Sequence, residues 1–177
     1  SKIPRELGFR GVCVYPGSKG RPPGLFVSTW SPAKGPGPLL LRTEDGLNFA
    51  PTCEPGLMGL PVTTIRTMVA FKGRMYTTPA GSRGGNPNVS SHSIVYESEA
   101  PEDGQSQAVS DFGFGDDGNK TIFEMCAFND HLYVGTFNLK GFQVWRSTCE
   151  SKPYHWERVI ADGADRGPLR HGPRAVP

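Results

Sequence analysis

The stretch GFGDDGNKT, Gly113 to Thr121, carries the residue types of a phosphate-binding loop. Gly113, Gly115 and Gly118 satisfy G-x-G-x-x-G, and Lys120-Thr121 stands where such a loop carries Lys-Thr. That chemistry needs a strand before the loop and a helix after it, so that helix-terminal amides meet the phosphate. Here TIFEMCAF follows, which reads as a strand, and Asp116 and Asp117 repel an anion. The loop is read as a Gly-rich, acidic linker, and no cofactor is expected. Glycoside hydrolysis needs two carboxylates with separated pKa values across one bond, and Asp111, Asp116, Asp117 and Glu124 are too loosely placed to form such a pair. His92, His131, His155 and His171 fall in hairpin turns or strand ends, so no Ser-His-Asp or Cys-His set can be assembled. Cys13, Cys53, Cys126 and Cys149 include no C-x-x-C pair, so no metal site is expected. No catalytic residue is assigned, and the chain reads as a non-enzyme. Asn88-Val89-Ser90 and Asn119-Lys120-Thr121 fit the glycosylation acceptor pattern and read as ordinary polar loops.

The composition describes what must position any such groups. Of 177 residues, 23 are Gly and 17 Pro, while 36% are hydrophobic and 20% charged. Without a collagen period, that Gly and Pro content means disorder or many tight turns. Ten Phe, five Tyr and three Trp set in short β-branched runs argue for turns between short strands. The net charge is +2 and the signs are intermixed; the basic segment Arg166 to Arg174 lacks the aromatic interleaving of a nucleic-acid surface. No apolar run reaches membrane-spanning length. Neither nucleic acid nor a membrane is therefore an expected partner. The chain opens at Ser1, which points to a trimmed, processed or excerpted product and leaves the compartment open.

Internal repetition decides the fold class. TIRTMVAFKGRMYTT (Thr64 to Thr78) returns as TIFEMCAFNDHLYVGT (Thr121 to Thr136), with Phe71/Phe128 and Tyr76/Tyr133 each 57 residues apart. A third copy lies upstream as GFRGVCVY and GLFVST, its hairpin lengthened by PGSKGRPPG. Each copy continues into a third strand in which Leu41, Tyr96 and Trp145 correspond, then Arg42, Glu97 and Arg146, then Thr43, Ser98 and Ser147. NFAPTCE, QAVSDFG and HWERVIADG supply a fourth. Period-2 alternation between Gly, Asn, Asp and Pro turns marks antiparallel hairpins. A four-strand unit repeated every ~50 residues predicts all-β propeller blades, since one small sheet cannot bury both faces alone. The blades are placed at about 8–54, 64–112 and 121–163, with 164–177 a linker toward a missing blade.

The corner Thr43-Glu44-Asp45-Gly46-Leu47-Asn48-Phe49 resembles the Asp-box turn of sialidase-like (BNR) propellers, with Gly directly after Asp and Phe for Trp. Ser98 to Gly104 and Ser147 to Trp156 are more degenerate versions, and Leu132 to Ser147 also looks like BNR or kelch-type repeats. The resemblance implies a folding turn at the Asp box rather than an active site. It also implies ligands at the channel mouth, near the start of each first strand and the second-to-third-strand loops. A sialidase-type hydrolase would need a third arginine, an activated Tyr paired with Glu, and an Asp acid/base. Tyr76 and Glu124 are present, but Tyr76 sits at a repeated packing position with Tyr133 and Phe26.

Propellers close with four to eight blades, so three imply either further blades or a two-chain ring with self-association. The candidate ligand-binding set is Arg10 and Arg66, at one position of two first strands, with Glu124 beside that position in the third. Two guanidinium forks near a common axis suit a carboxylate or phosphate. Trp30 and Phe137, each following a Thr, suit stacking on a sugar, and Arg83 lies in the long loop PAGSRGGNPNVSSH. The expected function is a non-catalytic binding or scaffold module for a carbohydrate or anionic ligand. The alternative is part of a sialidase-like hydrolase acting on acidic sugars. Cys13 and Cys126 align with Val69 and are expected in the buried inter-blade core, without a disulfide between them.

Overall fold

The computed structural model describes residues 5–86, 89–90 and 92–163. The linker expected at 164–177 and the Asn88 acceptor lie outside the described residues. The described chain is all-β, built from curled antiparallel sheet in three four-stranded meanders. Unit one is β1 (Gly8–Tyr15), β2 (Gly24–Trp30), β3 (Leu40–Thr43) and β4 (Ala50–Pro51). Unit two is β5 (Thr64–Phe71), β6 (Arg74–Ala80), β7 (Tyr96–Ser98) and β8 (Gln107–Ala108). Unit three is β9 (Thr121–Phe128), β10 (His131–Phe137), β11 (Val144–Ser147) and β12 (Glu157–Ile160). Within each unit every strand pairs antiparallel with the next. One bridge, Trp30 to Thr64, joins units one and two into a continuous eight-stranded sheet, and unit three forms its own.

The first strands lie side by side without laddering. A Cβ on Gly11 of β1 would stand 3.1 Å from Ser28 Oγ of β2 and, at ordinary contact, 3.4 Å from Met68 Cε and 3.6 Å from the Arg66 carbonyl oxygen of β5, so the two first strands approach within side-chain reach. Two cores fill the gaps between units. The first holds Cys13, Tyr15, Phe26 and Leu40 of unit one against Ile65, Met68, Met75 and Tyr96 of unit two. The second sets Tyr76 and Val95 of unit two against Ile122, Met125, Leu132 and Val134 of unit three. Alternation explains this: neighbouring residues of one strand serve different cores, Met68 the first and Val69 the second.

The two connections between units share a left-handed turn. Gly56, Leu57 and Met58 have φ of 88°, 53° and 65°, and Gly113 and Phe114 have 54° and 57°. Glycine opens each turn without steric cost, and the bulky residue after it is then aimed inward: Leu57 is buried, and Phe114 stacks on Trp145 at 5.0 Å. GFGDDGNKT therefore joins one sheet to the next strand, β9, with no following helix.

Thr43, Ser98 and Ser147 close the corners after the third strands. Their hydroxyls accept from the backbone N–H of Gly46 (2.9 Å), Ala100 (3.2 Å) and Cys149 (3.1 Å). In the first corner Asp45 also gathers the Leu47 and Asn48 N–H groups at 2.8 Å each. Hydrogen bonds from Asn48, Leu47 and Thr43 hold its carboxyl far below the usual carboxylate range. Among the described residues, no helix is long and apolar enough to cross a membrane.

Two expectations need correction. Cys13 is buried between units one and two, but Cys126 is exposed, because no unit lies beyond unit three among the described residues to cover its outer face. All four thiols are free. Asn119, expected in an ordinary polar loop, is fully buried at the hub of a side-chain network. Its Nδ2 donates to the Gly113 carbonyl and to Gln143 Oε1, each at 2.8 Å. Its Oδ1 accepts from Thr136 Oγ1 at 2.8 Å and Asn138 Nδ2 at 3.1 Å.

Candidate functional site

The arginine positions have one structural origin, repeated in every unit. In β1 the pairing slips between Phe9 and Gly11, in β5 between Ile65 and Thr67, and in β9 between Ile122 and Glu124. Arg10, Arg66 and Phe123 are therefore the extra residues of three equivalent β-bulges. A bulge takes one residue out of the ladder and re-aims its side chain. Simple alternation would place Arg66 on the side of Met68 and Ala70. The bulge breaks that alternation, and Arg66 turns toward unit three instead.

The guanidinium of Arg66 lies 4.0 Å from the centroid of the Phe123 ring, and its Nε donates to the Phe123 carbonyl oxygen at 3.3 Å. Phe123 in turn stacks on Phe137, centroids 5.4 Å apart and planes 21° apart. Arg10 covers Trp30 within its own unit, 4.7 Å from the ring centroid. Trp30, Ala80 and Phe137 end the three second strands, which explains the difference. Arg10 has an aromatic platform in its own unit; Arg66 has only Ala80 there and reaches across to the next. Such cation–π contacts contribute roughly 0.5–2 kcal/mol each and hold the planar group flat.

The electrostatics leave positive charge unspent. Burial and the neighbouring Arg10 charge pull Arg66 below its ordinary value, while Glu124 acts in the opposite sense. Among the described residues neither Arg10 nor Arg66 forms an ion pair with a carboxylate. The described structure thus brings Arg10, Arg66, Trp30, Phe137 and, by its electrostatic reach, Glu124 to one strip along the ends of the first and second strands. Arg83 stands apart in the β6–β7 loop. It is exposed, its backbone N–H donates to the Pro61 carbonyl at 2.9 Å, and no described contact ties its guanidinium to the strip.

A second polar centre escaped the sequence reading. Glu97 of β7 is fully buried between units two and three. Its Oε2 accepts from the Tyr154 hydroxyl at 2.5 Å, Gln107 Nε2 donates to Oε1 at 3.0 Å, and Lys152 closes an ion pair. Burial pushes the Glu97 carboxyl up, but the Lys152 and Tyr154 hydrogen bonds and the Lys152 and Arg74 charges outweigh it, leaving a net lowering. Burial and the Glu97 contact push Tyr154 up to about 12. Tyr76, buried and facing the Tyr154 hydroxyl at 3.3 Å, is raised further. Both phenols stay protonated, which suits a buried ion pair and not an activated nucleophile. The signal in the sequence was the sign reversal Arg42/Glu97/Arg146 at one repeat position. Beside it a cleft of about 380 Å³ opens between β8 and the β11–β12 corner, lined by Gln107, Lys152, Tyr154 and Trp156 among others. Among the described residues no cluster of three or more His, Cys, Asp or Glu could hold a metal ion. No protein-family model matches this chain, and no curated protein sequence matches it.

Proposed function

We propose that the three units are blades of a sialidase-like, Asp-box or kelch-type β-propeller. In this reading the chain is a non-catalytic module that recognises an acidic carbohydrate at the end where Arg10 and Arg66 stand. The carrying observation is the pair of electrostatically coupled guanidiniums, each held over an aromatic ring and free of a carboxylate partner in the described chain. A carboxylate placed between them meets two planar donor forks. Phe123, Phe137 and Trp30 supply apolar surface for a pyranose ring, and in this reading the exposed Glu124 beside Phe123 accepts from sugar hydroxyls. Covalent chemistry has no place in this reading, because Tyr76 points into the inter-unit core toward Tyr154 and not toward Glu124.

Calorimetric titration with N-acetylneuraminate and glucuronate, against neutral galactose, tests the reading. Saturable binding of at least one acid, absent for galactose and weakened by salt, is expected. Arg10→Ala and Arg66→Ala should each weaken it by roughly tenfold or more, the worth of a charge-assisted hydrogen bond. Equal response to acid and neutral sugars, no binding of either acid, or unchanged affinity in both variants overturns it.

A further inference from the structure

The outer faces of units one and three are the two halves of an interface that the chain already builds twice. In unit two, one face presents Met68, Met75 and Tyr96 to unit one. The same repeat positions in unit three are Met125, Leu132 and Trp145, and in unit one they are Val12, Leu25 and Leu41. Among the described residues nothing covers the unit-one copy of this face: Val12 is 54% and Val14 67% exposed. The opposite face of unit two presents Val69, Phe71 and Tyr76 to unit three. In unit three those positions are Cys126, Phe128 and Tyr133, with Phe128 62% exposed. One open face is thus of the receiving kind and the other of the inserting kind.

Charge continues the pattern. Lys19 and Arg21 of unit one meet Asp103 in the corner after β7, and Glu97 of unit two meets Lys152 in the corner after β11. Arg146 holds the position of Glu97 in unit three, and the corner of unit one carries Glu44 and Asp45. Arg146 is already paired with Glu157, and Glu44 with Arg42, so these charges set register more than strength.

We propose that a second copy of this chain occupies both faces, unit three of each copy packing on unit one of the other. Two unlike faces meeting twice about a twofold axis close a six-unit ring, whereas the same contact without closure gives an open chain. Both apolar faces and the strand edges beside them are then covered at once.

Sedimentation of the full chain over a wide dilution series tests this. The expected mass is twice 19.2 kDa. Val14→Asp and Phe128→Asp, both at exposed positions, should each give a folded monomer by circular dichroism and sedimentation. A 19.2 kDa wild-type monomer throughout overturns the proposal. So does a ladder of larger masses, or a folded variant that remains dimeric alone.

Discussion

Glu97→Ala is expected to destabilise the protein by about 3 kcal/mol, the loss that follows when one partner of a buried ion pair is removed. The carboxylate is fully buried and gathers Tyr154, Gln107 and Lys152, with Arg74 Nε 3.8 Å away. Removing it leaves a buried phenol without its acceptor. Lys152 and Arg74 lie nearer solvent and recover hydration, which keeps the loss at the lower end of the range for buried pairs. Urea unfolding at neutral pH measures the difference, and a loss under about 1 kcal/mol contradicts the buried-pair account. The pH dependence has a definite sign. The folded-state carboxyl is lowered from its ordinary 4.5, so its contribution is complete above that value and fades as pH falls through the folded pKa. Wild type and Glu97→Gln should therefore differ most near neutrality and converge in acid. A gap that widens in acid contradicts the assignment.

Asn119→Ala should cost about 3 kcal/mol, although it is a polar residue in a Gly-rich linker. Its amide spans four partners, Gly113, Gln143, Thr136 and Asn138, and ties the linker to the β10–β11 loop. The network continues from Gln143 Nε2 to Asp116 Oδ2 at 2.7 Å, and Asp116 also accepts from the Gly118 N–H at 2.7 Å. Truncation orphans several buried groups at once. Lys120→Ala, one residue on, should change stability by less than about 0.5 kcal/mol, because its side chain joins no described contact. The same burial predicts that Asn119 carries no glycan in the folded protein despite its acceptor sequence. Mass measurement of protein secreted from a glycosylating host checks this: a glycan at Asn119 would place the residue at the surface.

The repeat was legible because its signals are periodic. The paired aromatic positions, the corner hydroxyls of Thr43, Ser98 and Ser147, and the alternating strands all recur, and each recurrence has one local cause. The arginine strip was legible as composition and illegible as direction. Strand alternation assigned Arg66 to the Met68 side, and only the pairing slip, a property of two strands together, turned it toward Phe123. Cys126 was read from its repeat position, but burial there depends on a following unit, not on the strand that carries it. Glu97 and Asn119 were missed for a shared reason. A buried polar residue is stabilised by partners distant in sequence, Lys152 and Tyr154 in one case and Gln143 in the other, and nothing adjacent to it announces them.

The bulge shared by β1, β5 and β9 separates two tasks that a strand residue usually performs together. Met68 and its counterparts must match a neighbouring sheet in shape, so their variation is restricted by folding. The extra residue of each bulge stands outside the ladder, and the chain already carries Arg, Arg and Phe there. Under the proposed binding role, ligand preference and strand pairing are in this sense written at different positions. A combinatorial library restricted to residues 10, 66 and 123 would then vary the proposed binding strip while keeping the strand pairing, at a stability cost set by the cation–π contacts, roughly 0.5–2 kcal/mol each.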